Sequence, residues 1–138
     1  MTDTLHLEIV TAGGAAVDTQ AQQVTLPLAD GEAGVLPGHA PLLGALMCGV
    51  VRYTAASKEH YCAVSPGTVN VAAGNVTVLA RTAERAPDID LARAEAALHR
   101  AESDLEARGM EMNISTPEAA RARAKARIRA VGLWRKNG

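Results

Sequence analysis

The sequence predicts an α+β chain in which an antiparallel β-sandwich, residues 1–84, is followed by an antiparallel two-helix hairpin, residues 88–138. Three observations predict it. Up to Pro87 the apolar residues recur at a period near two, and beyond it at a period near three and a half. The first part is divided into short runs by Gly and Pro turns with no intervening helix, which favours a sandwich or barrel over a parallel sheet. The second part carries its own start and stop signals for two helices.

The strands follow in order. Leu5, Leu7 and Ile9 alternate with His6 and Glu8 up to the turn residues Gly13 and Gly14. Val24, Leu26 and Leu28 alternate next. Pro27 lacks a backbone N–H, which assigns this strand to a sheet edge or ends it there. Further strands are expected near Val50–Thr54, His60–Val64, Thr68–Ala72 and Val76–Arg81. Ser65-Pro66-Gly67 and Ala73-Gly74-Asn75 are short enough to be hairpin turns, so neighbouring strands are expected to pair antiparallel.

In the second part Leu91, Ala94, Leu98, Ala101 and Leu105 fall on one helix face. Asp88 or Asp90 serves as its N-cap and Gly109 as its stop. For the second helix, either Ser115 and Glu118 form a capping box or Thr116 caps with Pro117 in the first helical position. The helix then runs to about Trp134. Its many alanines make it helical without a broad core contact, as suits an element that docks and undocks.

Composition narrows the function. With no Phe, one Trp and two Tyr, the core is built from Val, Leu, Ile and Ala. A net charge of −1 gives no global attraction to nucleic acid or an anionic membrane. Seven of the 14 basic residues lie between Arg121 and Lys136, and seven acidic ones between Glu84 and Glu106, so the two segments are expected to face each other. Cys48 and Cys62 read as small buried apolar groups in a reducing compartment. The first residues lack the basic and apolar regions of a signal peptide, and no apolar run reaches the roughly 18 residues that span a membrane. No nucleotide-binding glycine loop, metal-ligand spacing or nucleophile motif is present, so neither catalytic residues nor a metal site is assigned and an enzyme is not expected.

The most distinctive stretch runs from Gly31 to Leu43, where Pro37 and Pro41 flank Gly38-His39 and fix the loop with His39 at its tip. On the residues alone, His39 either presents a recognition surface or closes the turn by bonding locally. The stretch closely resembles the signature of ATP synthase epsilon subunits: a Gly-Glu-x-Gly turn, here Gly31-Glu32-Ala33-Gly34, followed by Pro-Gly-His-Ala-Pro-Leu, here Pro37 to Leu42. The similarity continues through Ser65-Pro66-Gly67, Gly74 to Leu79, and Asp88-Ile89-Asp90 leading into Arg93 to Ala96.

The resemblance implies a ten-stranded sandwich that binds the gamma subunit and sits on the ring of c subunits, peripheral to the cytoplasmic face of a bacterial membrane and held there only through the complex. It implies partner-interface roles for Glu32, Gly38, His39 and Pro41, with Glu32 near the c-ring loops. It implies a non-catalytic rotor subunit of a proton- or sodium-translocating synthase. The hairpin would inhibit ATP hydrolysis by extending toward the catalytic alpha/beta head. It further implies regulatory ATP, held by a motif matching Ile89 to Ala94 and by Arg123 and Arg127. Asp90 would cap and orient, while Arg93, Arg123 and Arg127 neutralise phosphates. Glu95 departs from the Lys of many nucleotide-binding relatives. The competing reading of the arginines is a solvated or gamma-facing stripe. The competing reading of the whole is a β-sandwich module whose basic helical tail contacts nucleic acid, against which stands the shortage of aromatics for base stacking.

Overall fold

A computed structural model describes residues 3–108 and 116–137. Ten strands precede two helices: β1 Leu5–Thr11, β2 Gly14–Ala21, β3 Gln23–Leu28, β4 Gly31–Val35, β5 Leu42–Leu46, β6 Gly49–Ala55, β7 Lys58–Val64, β8 Gly67–Ala72, β9 Asn75–Ala80, β10 Ala83–Arg85, α1 Leu91–Arg108 and α2 Pro117–Asn137. A single 3₁₀ turn, Ala86–Asp88, joins sandwich to hairpin. The strands are ordered β10-β7-β6-β3-β5-β8-β9-β1-β2, with β4 paired to β3. The two ends of this order, β10 and β2, lie against each other, so the sandwich is nearly a closed barrel.

Alternation fills the interior. Leu5, Leu7 and Ile9 of β1, Val24 and Leu26 of β3, Val69 and Val71 of β8, and Val76 and Val78 of β9 are all fully or almost fully buried in one cluster. No helix residue belongs to that cluster. A second, smaller cluster lies outside the sandwich, where Val50 of β6 and Tyr61 and Ala63 of β7 meet Ala86 and the α2 residues Ala126 and Ala130. Cys48, Ile89, Leu133 and Trp134 pack around it. On β7, therefore, Cys62 and Val64 face inward and Tyr61 and Ala63 face the helix, so four consecutive residues are buried.

Several sequence expectations are corrected by this topology. Ser65 and Pro66 do not make a hairpin, because β7 pairs with β6 and β10 whereas β8 pairs with β5 and β9. The segment carries the chain from one layer to the other instead. Ser65 anchors it: the Thr82 N–H donates to the Ser65 hydroxyl at 2.7 Å. Nor is β3 an edge strand. It has neighbours on both sides, and Pro27 lies where one neighbour changes from β6, last paired at Thr25, to β5, paired at Leu28. The missing N–H falls in that gap, and the strand ends one residue later. One pairing is parallel, β1 with β9. Strands β2, β4, β5 and β10 had no strand signal of their own, being short or rich in Gly and Ala.

The helical signals resolve clearly. Asp90 caps α1, its carboxylate accepting from the Arg93 N–H at 3.1 Å. Thr116 caps α2 in the same way, accepting from the Ala119 N–H at 3.1 Å with Pro117 in the first position. Ser115 and Gly109 lie outside the described residues. The expected face of α1 carries its two buried residues, Ala94 and Ala101. Arg121 faces Glu102 at 3.7 Å, and Arg127 lies beside Arg93 and Ala97, so the helices run antiparallel. Contrary to the expectation of little core contact, α2 buries Ala124, Ala126, Ala130 and Val131 and packs along β7 and β6.

Because the inner cluster contains no helix residue, a chain ending at Ala86 is expected to keep its β-type far-ultraviolet circular dichroism while exposing Val50, Tyr61 and Ala63. Loss of the β signal on truncation would show that the sandwich needs the hairpin. Gly67 is a sharper probe, since a Cβ there would lie 1.8 Å from the Leu79 carbonyl oxygen. Gly67→Ala should cost about 1–3 kcal/mol in urea unfolding, as overpacking against backbone does.

Candidate functional site

The residues expected to hold a nucleotide converge, with one exception. A cleft of about 380 Å³ opens between the end of the sandwich and the hairpin, lined by Glu84, Asp88, Ile89, Asp90, Arg93, Arg100 and Arg127 and by the small side chains Ala94, Ala96 and Ala97. This is the size of a small-molecule site. Three guanidinium groups and three carboxylates share it, so it suits an anion attached to a polar, uncharged part. Arg93 and Arg100 lie seven residues apart on α1, which puts them on the same face. Arg127 reaches in from α2 and donates from Nε to Glu84 of β10 at 2.5 Å. Arg123 is the exception. One turn before Arg127, it lines a narrow crevice with Ser65, Thr82 and Glu84.

Glu84 and Arg100 were not assigned from sequence. Glu84 comes from the far side of the period change, and only the fold places it beneath the hairpin. Arg100 differs from the assigned arginines only in lying outside the recognisable motif. The nearby thiol of Cys48 is raised by burial, an effect opposed by Arg123 and Arg127. Burial pushes Cys62, inside the sandwich, up to about 12.

Of the expected partner-interface residues, Gly38, His39 and Pro41 lie in the loop between β4 and β5, and Glu32 lies on β4. Leu36 to His39 is a turn in which the His39 N–H donates to the Leu36 carbonyl at 3.0 Å. Pro37 supplies the fixed φ, and Gly38, at φ 86°, supplies the positive one, as in a type II turn. The His39 Nδ1 lies 2.6 Å from the Ala40 carbonyl oxygen, so Nδ1 carries the proton and donates. His39 thus bonds locally while its side chain stays exposed. Pro41 is also exposed. Glu32, on β4, accepts from Arg52 of β6 at 3.1 Å.

Four large apolar side chains that the sequence does not single out are exposed: Leu36 is 56% exposed, Leu43 80%, Met47 47% and Leu79 51%. Register places Ala45, Thr68, Leu79 and Val10 in one row across β5, β8, β9 and β1, with Leu43 in the next row on the same face. None of these strands lies under the helix. The signal was present in β9, where Val76, Val78 and Ala80 form the inward set and leave Leu79 on the outward side beside Thr77.

Arg121 and Arg127 are engaged in ion pairs within the chain, which leaves fewer of the α2 cations for an external polyanion. Among the described residues no helix is long and apolar enough to cross a membrane.

Residues 4–86 match the ATP synthase delta/epsilon chain β-sandwich domain, and residues 88–132 match the long α-helix domain of the same chains. The ATP synthase epsilon chain of Nitratidesulfovibrio vulgaris is 44% identical over 132 residues, covering 96% of this chain and 98% of that one. The epsilon chain of Desulforamulus reducens is 42% identical over 130 residues, covering 94% and 98%. Among solved structures, a chain in the Euglena gracilis mitochondrial ATP synthase OSCP/F1/c-ring assembly superposes with a TM-score of 0.67 at 19% identity, over 96% of this chain and 80% of that one. A chain in the Tetrahymena thermophila mitochondrial ATP synthase central stalk and c-ring gives 0.56 at 12% identity, over 96% and 97%. At these identities the two structures support the fold.

Two substitutions separate local structure from surface. Asp90→Ala removes the α1 cap and should cost about 1 kcal/mol in urea unfolding. His39→Ala, at an exposed tip, should change the isolated chain by no more than about 0.5 kcal/mol. A larger loss at His39 would mean that its bond to Ala40 holds the turn.

Proposed function

Since the chain belongs to the family of ATP synthase epsilon chains, we propose that it is a non-catalytic rotor subunit whose hairpin senses ATP and, when released, inhibits hydrolysis. The observation that carries the sensing role is the cleft itself. It is built from β10, α1 and α2 together, so it exists only while the hairpin is folded against the sandwich. A ligand of that cleft binds the folded form and not the extended one.

Chemistry assigns the ends of the ligand. Arg93, Arg100 and Arg127 meet the phosphates, with guanidinium forks suited to phosphate oxygens. Carboxylates repel phosphate, so Glu84 and Asp88 face the base, where a carboxylate oxygen accepts from an exocyclic amine. Ile89 supplies an apolar surface for the ring. Asp90 is engaged with the helix N-terminus and positions Arg93. Arg123 supports Arg127 from the adjoining crevice. At an ATP concentration of about 100 times the dissociation constant, the folded form gains roughly 2.7 kcal/mol, enough to make a modestly disfavoured conformation dominant.

The exposed apolar face of β5 and β9 gives the rotor role its surface. We assign the gamma subunit to Leu43, Leu79 and the adjoining rows, and the c-ring to Glu32 and to the Gly38-His39 turn. The chain then reaches the cytoplasmic face of the membrane through the complex, and the extended hairpin reaches the alpha/beta head.

Calorimetric titration of the isolated chain with ATP tests the sensor. Arg93→Ala and Arg127→Ala should each weaken binding about tenfold or more, the usual scale for a charged hydrogen bond, and Arg123→Ala less. Absence of binding at millimolar ATP, or equal binding by all three variants, would remove the nucleotide reading. For the rotor surface, Leu43→Asp and Leu79→Asp should each reduce recovery of the gamma subunit in a pull-down about tenfold without lowering the stability of the isolated chain. Unchanged recovery would place gamma elsewhere.

A further inference from the structure

Among the described residues, the docked helix α2 is attached to the sandwich at two polar points. One is the pair between Arg127 and Glu84, inside the cleft. The other lies ten residues along the helix, or about 15 Å at the ordinary helical rise. There the Asn137 amide donates to the Tyr61 hydroxyl at 3.0 Å, and that hydroxyl donates to Glu59 at 2.7 Å. The arrangement has a direction. An ionised Glu59 only accepts, so it takes the phenolic proton and leaves the Tyr61 oxygen free to accept from Asn137. The ring beneath is 2% exposed and belongs to the cluster shared by α2 and the sheet. The same residue therefore holds the helix by contact and by a hydrogen bond.

The geometry points to Tyr61 as the latch for the C-terminal end of α2, a positioning residue that keeps the hairpin folded independently of anything bound in the cleft. It rests on the reading of the hairpin as detachable, and it adds a second control to that switch. Arg127 is available to respond to a phosphate. The bond between Tyr61 and Asn137 lies outside the lining of the cleft and does not respond. The resting balance between folded and released hairpin is then set at Tyr61, and a ligand adjusts it from the other end.

The two cysteines of the chain provide the test. Cys48 packs against the cluster between helix and sheet, whereas Cys62 is wholly inside the sandwich. Cys48 is half-buried with the hairpin docked, so a rise in its alkylation by iodoacetamide in the full chain reports release of the hairpin, and alkylation of the buried Cys62 reports unfolding of the sandwich. Tyr61→Phe keeps the ring and removes the hydroxyl; Asn137→Ala removes the other partner at an exposed helix end, where misfolding is not at issue. Each should raise the Cys48 rate about three- to tenfold, the double variant should be no faster than either single one, and Cys62 should be unchanged. Unchanged Cys48 rates in both single variants, additive effects in the double variant, or a parallel rise at Cys62 would overturn the latch. If wild-type Cys48 reacts no faster than Cys62, the hairpin does not detach, and the latch falls together with the switch. A wild-type Cys48 that reacts readily, with the variants no faster, overturns the latch alone.

Discussion

Strand β7 is buried on both faces from Tyr61 to Val64, and the rest of the architecture depends on that constraint. Cys62 and Val64 complete the interior of the sandwich while Tyr61 and Ala63 form the floor on which α2 lies. A strand at a solvated surface needs polar residues on its outer side. β7 instead carries a run of apolar side chains from Tyr61 to Val64, which makes sense only if something covers the outer side. The hairpin is that cover, and the sandwich surface has been shaped to receive it.

The cover is built to be light. Burying a methyl group contributes about 0.8 kcal/mol, against roughly 1.5–3 for a fully buried Leu or Val. The α2 residues buried against the sheet are the alanines Ala126 and Ala130, while Leu133 and Trp134 are only half-buried. The inner cluster, by contrast, fully buries Leu5, Leu7, Ile9, Leu26 and many valines. Two interfaces of very different strength therefore meet on one strand. Opening of the weaker would leave the contacts of the stronger in place, as the proposed switch on a stable platform requires. Polar contacts at Arg127 and Tyr61 then have leverage that they would lack against a leucine-rich seam.

How much of this the sequence revealed follows from the range of the forces involved. Caps are local, so the side chains of Asp90 and Thr116 were legible within three residues of their partners. Alternation is also local, and it located strands β1, β3, β8 and β9. It failed at Ser65-Pro66, because a turn signal does not say whether the next strand turns back to its predecessor or crosses to the other layer. Pro27 misled for a related reason: a strand that changes neighbours along its length has a gap in its ladder away from any edge. In the cleft, Arg93 and Asp90 belonged to one contiguous motif and were found. Glu84 is held there by tertiary structure alone. The exposure of Leu43 is likewise a property of the folded sheet, in a strand whose alternation is weak.

The single parallel pairing, β1 with β9, also sets an order of events. The pairings within the β8-β9 and β6-β7 hairpins join residues close in sequence, but His6 must wait for Asn75, about seventy residues later. At about 5–20 residues per second of synthesis, that is several seconds during which β1 has only β2 as a partner. The second side of β1 therefore cannot be paired before β9 has been made, and the helices are made later still. A nascent chain meets its weakest interface last, when the surface that receives it is already complete.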